Sequence, residues 1–356
     1  AILLLPFRGL EAAGIAFVAV LAGLPLIGLL RKMSQGEAKS LSPATLGLKR
    51  QYLWLVPLLT IIFAGLPLMV KDYYLDILVI SGIYMLLAFG LNVIVGFTGL
   101  LNLGFAAFYA IGAYSYALLN TRLGLGFWEA LPLSTAITAC AGFLLAVPAL
   151  RLRGDYLAIV TLGFGEITRL VLNNWDSLTH GPNGISGIAP PSLFGISLGR
   201  LQYFYYLVLA VVLVSIIVIR RVEGSRIGRA WLAIRENEIA AASMGINTTR
   251  YKLYAFSFGS LWAGVAGALF ASKMQFVSPE SFTFMESVLI LSMVIIGGLG
   301  NTYGAVLGAL ILVLLPEALR GIESYRMLIL GAALVALMIF RPQGLLGGYR
   351  GVRIRG

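Results

Sequence analysis

Few side chains in this 356-residue chain have the type and spacing to do chemistry, and their setting argues against an enzyme. Gly195-Ile196-Ser197-Leu198-Gly199 fits the Gly-x-Ser-x-Gly pattern of hydrolases, but that motif needs a strand-to-helix elbow and a His and Asp elsewhere. The chain's one histidine, His180, lies in the same turn-rich stretch and reads as a surface loop residue. With only Cys140 beside it, the chain offers no disulfide framework and no His-built metal site. A Gly-x-x-x-x-Gly-Lys-Ser/Thr loop is missing, so nothing in the sequence could cradle and hydrolyse ATP. Catalytic residues are therefore not expected.

The polar residues that remain lie inside hydrophobic stretches. Asn92, Thr98 and Asn102 are mixed with glycines between residues 90 and 112. Such groups line a pathway where a transporter helix is broken, or they serve as interhelical hydrogen bonds among closely packed small residues. Glu166 and Arg169, three apart on one predicted helix, can neutralise each other in the bilayer, and the same pair could contact a transported molecule or act in gating. Glu317 and Arg320 repeat the spacing near a helix end, where snorkelling explains them.

The elements holding these residues follow from composition. Hydrophobic residues make up 59% of the chain and charged ones 12%, against about a quarter charged in soluble domains. Apolar runs of roughly 17–25 residues, long enough for a helix to cross ~30 Å of hydrocarbon, recur along the chain. Only helices or closed barrels satisfy backbone groups in lipid, and the short alternating segments of a barrel are missing. The fold class is an all-α polytopic transmembrane bundle. Eleven segments are expected, near 10–30, 52–70, 77–97, 100–119, 131–149, 156–172, 203–219, 254–272, 285–299, 303–319 and 326–340. The last three and the Gly-rich 98–104 region suit broken or re-entrant helices. The opening Ala1-Ile2-Leu3-Leu4-Leu5-Pro6 has no initiator Met or basic n-region and reads as the end of an earlier helix.

The net charge of +11 belongs to topology rather than to nucleic-acid binding, which needs a basic soluble module. Eighteen of the 26 Lys and Arg fall in four connections, around 31–50, 151–153, 220–252 and 341–355. Eleven crossings put all four on one side, which the positive-inside rule makes cytoplasmic, together with the C-terminus. Residues 1–50 then form an extra helix and basic loop, 51–346 the main transmembrane domain with the 220–252 connection, and 347–356 a basic tail.

Two connections are too long to be turns. Residues 173–202 are rich in turn formers and face the periplasm in this topology. Residues 220–252 are cytoplasmic, and 228–245 read as one short amphipathic helix closed by Gly245, tethered at both ends and suited to dock on a partner.

Several stretches resemble a known family. They are Gly90-Leu91-Asn92-Val93-Ile94-Val95-Gly96 running on to Tyr114, Leu150-Arg151-Leu152-Arg153-Gly154-Asp155 running on to Ile167, Gly181-Pro182-Asn183-Gly184-Ile185-Ser186, Phe276-Val277-Ser278-Pro279-Glu280-Ser281-Phe282 and Arg341-Pro342-Gln343-Gly344-Leu345-Leu346. Together, over residues 77–346, they resemble the M-type permease of high-affinity branched-chain amino-acid ABC importers; urea and short-amide permeases are similar. The resemblance implies a heterodimer with an H-type permease in the bacterial inner membrane. It also implies two cytoplasmic ATPase subunits that bind ATP and Mg, and a periplasmic protein that delivers Leu, Ile or Val. It places coupling to the ATPase on the helix carrying Arg229, Arg235, Glu236, Glu238 and Gly245. Asn183, Ser278 and Glu280 would face the binding protein, and Asn92, Thr98, Asn102 and Glu166 would border the pathway. The competing class is an ion-coupled secondary transporter, for which Glu166 is the only acid the sequence places deep in the membrane. Val93-Ile94-Val95-Gly96 and Val294-Ile295-Ile296-Gly297 echo each other and hint at an internal repeat.

Overall fold

The computed structural model describes residues 71–149, 152, 154–193, 196–318, 331, 335, 339 and 344–346. The segments expected at 10–30 and 52–70, most of that at 326–340, Arg320 and the tail at 347–356 lie outside them.

Helix α1 (Asp72–Leu91) runs directly into a π-helical turn, Asn92–Phe97. An irregular stretch, 98–104, leads to α2 (Phe105–Leu123), α3 (Phe127–Ala149), α4 (Asp155–Asn174) and the single turn α5 (Asp176–Thr179). Strands β1 (Ile185–Ser186), β2 (Ser192–Leu193) and β3 (Ile196–Ser197) precede α6 (Leu201–Glu223). Then come α7 (Arg226–Glu236), α8 (Glu238–Ser243), α9 (Thr248–Met274), β4 (Phe276–Val277), α10 (Phe284–Gly297) and α11 (Thr302–Ala318). Each apolar run expected between 77 and 319 contains a helix among the described residues, the run at 100–119 becoming helical only at Phe105.

Four of these are long and apolar enough to cross a membrane: Asp72–Phe97, Phe127–Pro148, Leu201–Glu223 and Thr248–Met274. At 14 and 17 residues, α10 and α11 reach only about 21 and 26 Å and form a hairpin about a tight turn.

The bundle is built around α9, which packs on α1, α2 and α3. Small residues let these backbones close on one another, since lipid supplies no hydrophobic force between helices. A Cβ on Gly112 of α2 would lie 2.6 Å from the Cα of Gly264 on α9, and one on Gly264 would lie 2.9 Å from the Thr138 side chain of α3.

Contacts along α1 give the depth of the other elements. Asp76 pairs with Lys273 at 2.7 Å, Tyr84 hydrogen-bonds Glu286, and Asn92 accepts from the Gly300 amide at 2.8 Å. Each step of eight residues along α1 is about 12 Å. The first turn of α10 therefore lies about 12 Å below the Asp76–Lys273 level, and the α10–α11 turn about 24 Å below it. The start of α10 is thus at mid-depth, as is that of α2, because the Ala106 amide donates to Ser287 Oγ at 2.9 Å. This corrects the sequence reading in which Glu166 was the only deep acid: Glu286 is deep as well. On the stretch that leads into α10, Val277, Pro279 and Phe282 are buried, Phe282 against Tyr109 and Phe270, which draws the start of α10 down from the end of the bundle.

The two ends of the bundle differ. At the end away from the basic loop 220–252, two distant connections pair: β1 runs antiparallel to β4, with Ile185 opposite Val277 and Ser186 opposite Phe276. Arg122 at the end of α2 donates to the Ser177 carbonyl at 2.6 Å and to that of Leu178 at 3.0 Å. Ser197 lies in a β2–β3 hairpin, opposite Ser192, which is not the elbow a Gly-x-Ser-x-Gly nucleophile requires.

Because its partner is backbone, Gly112→Ala is expected to lower stability by about 1–3 kcal/mol. Gly124→Ala adds only strain at a helix end, φ 65°, with no atom within 4 Å, and is expected to be milder. Thermal unfolding of the detergent-solubilised protein distinguishes the two.

Candidate functional site: a mid-depth cavity and a basic-end lever

The stretch 98–104 leaves helical geometry inside the membrane, so its backbone groups need partners within the chain. Gly99 turns the chain with φ 73°. The Leu103 amide donates to Thr161 Oγ1 of α4 at 3.1 Å, and the Gly104 amide donates to Asn102 Oδ1 at 2.9 Å. Gly104 is pressed on the Thr161 carbonyl, leaving no space for a side chain. The stretch thereby climbs from the π-helical turn to the mid-depth start of α2.

There the starts of α2 and α10 meet the middle of α4 around a cavity of about 10 Å³, lined by Leu103, Ala106, Gly165, Glu166, Thr283 and Ser287 among others. That volume holds roughly one water. Glu166 accepts from Arg169 Nε at 3.1 Å and Nη2 at 2.9 Å, and both side chains stay about a third exposed, at 35% and 34%. Asn102 is fully buried next to the cavity-lining Leu103, and its Nδ2 has no partner among the described residues.

Asn92 and Thr98 are placed elsewhere, at the basic end. Asn92 is buried and holds the Gly300 amide, while Thr98 Oγ1 donates to the Ile94 carbonyl at 2.5 Å. Of the four residues expected to border a pathway, Glu166 lines the cavity and Asn102 adjoins it. Asn92 and Thr98 fasten the π-helical turn about a dozen ångströms away.

That turn also receives Arg235 from the loop between α6 and α9. Its Nη1 donates to the Gly96 carbonyl at 2.5 Å, and a Cβ on Gly300 would lie 2.6 Å from the same nitrogen. The turn between α10 and α11 is tied down further. Leu345 donates its amide to the Ile296 carbonyl at 2.7 Å, Leu346 to that of Gly297 at 3.1 Å, and Asn301 Nδ2 donates to the Leu346 carbonyl at 2.9 Å. The repeat-like stretches ending at Gly96 and Gly297 thus finish two helices side by side at one end, bridged by Asn92 and Arg235.

Residues 228–245 are two helices rather than the single one expected. Asn237 adopts an extended conformation, φ −160° and ψ 109°, and its Oδ1 caps α8 by accepting from the Ala240 amide at 3.0 Å. Ser225 caps α7 in the same way, and Gly245 closes α8 with φ 84°. The pair is anchored from within: Trp231 stacks on Phe97 and donates Nε1 to the Tyr251 carbonyl at 2.7 Å, while Glu238 pairs with the buried Lys252 at 2.6 Å. Arg229 donates to the Gly224 carbonyl at 2.9 Å, and Glu236 is exposed. At the other end of the bundle the β1–β4 pairing draws Asn183, Ser278 and Glu280 into one neighbourhood, with Asn183 and Glu280 exposed.

Sequence reasoning missed Tyr84–Glu286, Ser287 and Thr161. Glu286 carried one usable signal, an acid only two residues into an apolar helix of 14.

Membrane-crossing helices, breaks satisfied within the chain, a mostly apolar mid-depth cavity bordered by a few polar groups and a tethered helix pair at one end together describe a multi-pass membrane transport protein. The family comparison agrees. Residues 73–338 match the model of the branched-chain amino acid transport system permease component, and the chain belongs to that family. It is 47% identical over 348 residues to the high-affinity branched-chain amino acid transport system permease protein LivM of Salmonella typhimurium, covering 89% of this chain and 82% of that one. To the protein of the same name in Escherichia coli it is 49% identical over 320 residues, covering 83% and 75%. It is also 26% identical over 287 residues to the permease protein LivH of the same kind of system in Salmonella typhimurium, covering 74% and 91%. No solved structure matches it. As a permease component the chain is not an enzyme.

Asn92→Ala leaves the Gly300 amide without its acceptor. It is expected to lower stability by about 1–3 kcal/mol, read as a drop in the thermal midpoint.

Proposed function

We propose that this chain is the pathway subunit of an ATP-driven importer that moves leucine, isoleucine and valine from periplasm to cytoplasm across the bacterial inner membrane. The observation that carries the coupling half of this reading is the reach of Arg235 from the tethered helix pair to the Gly96 carbonyl inside the bundle. The substrate half is supported by the names of the LivM relatives. An H-type permease, two ATPase subunits holding ATP and Mg, and a periplasmic binding protein complete the assembly, with the basic end and the C-terminus in the cytoplasm.

In this mechanism α7 and α8 are the coupling element. Arg229, Glu236 and Gly245 shape its surface toward the ATPase, and Glu238 fixes it to α9 through Lys252. When the ATPase pair closes, the helix pair moves, and Arg235 carries the motion to the π-helical turn and the α10–α11 turn together. Asn92 and Thr98 keep those turns acting as one piece. The start of α2 is joined to this unit through 98–104, so its motion opens or closes the cavity beside Asn102 and Glu166. Such a switch between two states is a rigid-body transition. The apolar lining suits aliphatic side chains, and a few polar groups hold the zwitterionic ends weakly enough for release. Asn183, Ser278 and Glu280 receive the binding protein at the opposite end.

Reconstitution of the complete importer tests this. Leucine uptake is expected to require ATP and the binding protein; uptake driven by a proton or sodium gradient without ATP contradicts the reading, and tight binding of urea but not leucine by the binding protein contradicts the substrate. Arg235→Ala is expected to retain ATP hydrolysis while losing uptake at least about tenfold, a loss of some 1.4 kcal/mol or more in coupling. Equal loss of both activities would instead mark Arg235 as purely structural.

A further inference from the structure

The outward face of α4 differs from those of α3 and α6. On α3 the exposed residues at membrane depth include Leu133, Ile137 and Leu144, and on α6 they include Tyr206, Val214 and Ile217. These apolar surfaces suit lipid. Helix α4 likewise exposes Ile159, Ile167 and Leu170, but beside them stands the Glu166–Arg169 pair, a third exposed at the middle of a 20-residue helix. Charge at that depth belongs against protein or a water-filled cavity. Glu166 also lines the mid-depth cavity, so the cavity and this face adjoin.

Gly163 marks the same face. Gly82, Gly90, Gly112 and Gly264 are all pressed against other helices of the chain, whereas a Cβ at Gly163 meets no atom within 4 Å. A glycine inside a helix weakens it, and none of the described residues uses the space it leaves. In membranes such a residue lets a second helix approach closely.

We infer that this face of α4 is the contact with the second permease subunit, with the mid-depth cavity opening onto the seam between the two. The inference rests on the importer reading above. The occupant follows from the relatives: LivH is 26% identical to this chain over 287 residues that include 91% of its own length, so the partner shares this core. Two subunits of one core pair most simply about a pseudo-two-fold axis, which brings the same face of each together. Helix α4 lies within that shared core.

The experiment uses the full importer with its H-type subunit in native membranes. A photo-crosslinking benzoylphenylalanine is placed at Ile167 on α4, or at Ile217 on α6 as the control. Ile167 is expected to yield an adduct with the H-type subunit, at the summed mass, and Ile217 is not. Adducts from Ile167 only to lipid, to residues 1–70 of the same chain or to another subunit would overturn the inference. Independently, Gly163→Trp should reduce co-purified H-type subunit at least fivefold while the chain itself stays in the membrane at wild-type level. Ile217→Trp should assemble normally, and full assembly of Gly163→Trp would likewise overturn the inference. If the wild-type chains fail to co-purify at all, the importer reading fails; if they do co-purify and Ile167 remains silent, only the interface does.

Discussion

A peptide group that leaves a helix inside a bilayer finds no water, so its hydrogen bond must come from the protein. This chain leaves helical geometry within the membrane at 98–104 and again at 298–301, and its organisation follows from serving those two places. Thr161, Asn102 and Ser287 take amides around the first. Asn92, Arg235 and the segment 345–346 serve the second and its neighbour, the π-helical turn. The donors and acceptors come from six different elements, so none of these breaks can rearrange alone.

That sharing gives the bundle its mechanical character. Close helix contacts at Gly90, Gly112 and Gly264 leave no space for side chains, so α1, α2, α3 and α9 are packed together along their lengths. The breaks are the places where motion can be admitted, and one of them is gripped by a side chain from outside the membrane. Arg235 suits the task because its guanidinium presents several donors in a fixed plane at the end of a long stem. With Trp231 wedged against Phe97 and Glu238 tied to Lys252, the helix pair α7–α8 is attached to the bundle through three side chains, Trp231, Arg235 and Glu238.

Much of this was legible in the sequence because membrane helices are coded locally. Twenty apolar residues specify a crossing wherever they occur, and Gly99 and Gly104 announced the break between α1 and α2. Gly245 likewise announced the end of α8. The rest depended on contacts between distant positions. Arg235 and Gly96 lie 139 residues apart, and no pattern near either one foretells the other. Glu286 was misplaced because an apolar run gives a helix's length but not its depth, and the partly buried stretch 276–282 sets that depth. The split at Asn237 was missed because a run of helix formers on both sides outweighed one residue whose side chain prefers to cap. Asn92 was recognised as either pathway or glue; only the position of Gly300 shows which bond it makes.

The central claim is that α7–α8 and the α10–α11 turn move as one body. Paired spin labels at the exposed Ile239 of α8 and Leu299 of the turn measure this in the complete importer by pulsed dipolar spectroscopy. The account predicts that this distance is the same with and without trapped ATP, while the distance from Ile239 to a label on the second permease subunit changes. A change of several ångströms between Ile239 and Leu299 in an importer that still couples would show that the helix pair slides past the bundle, and Arg235 would not be the path of the force.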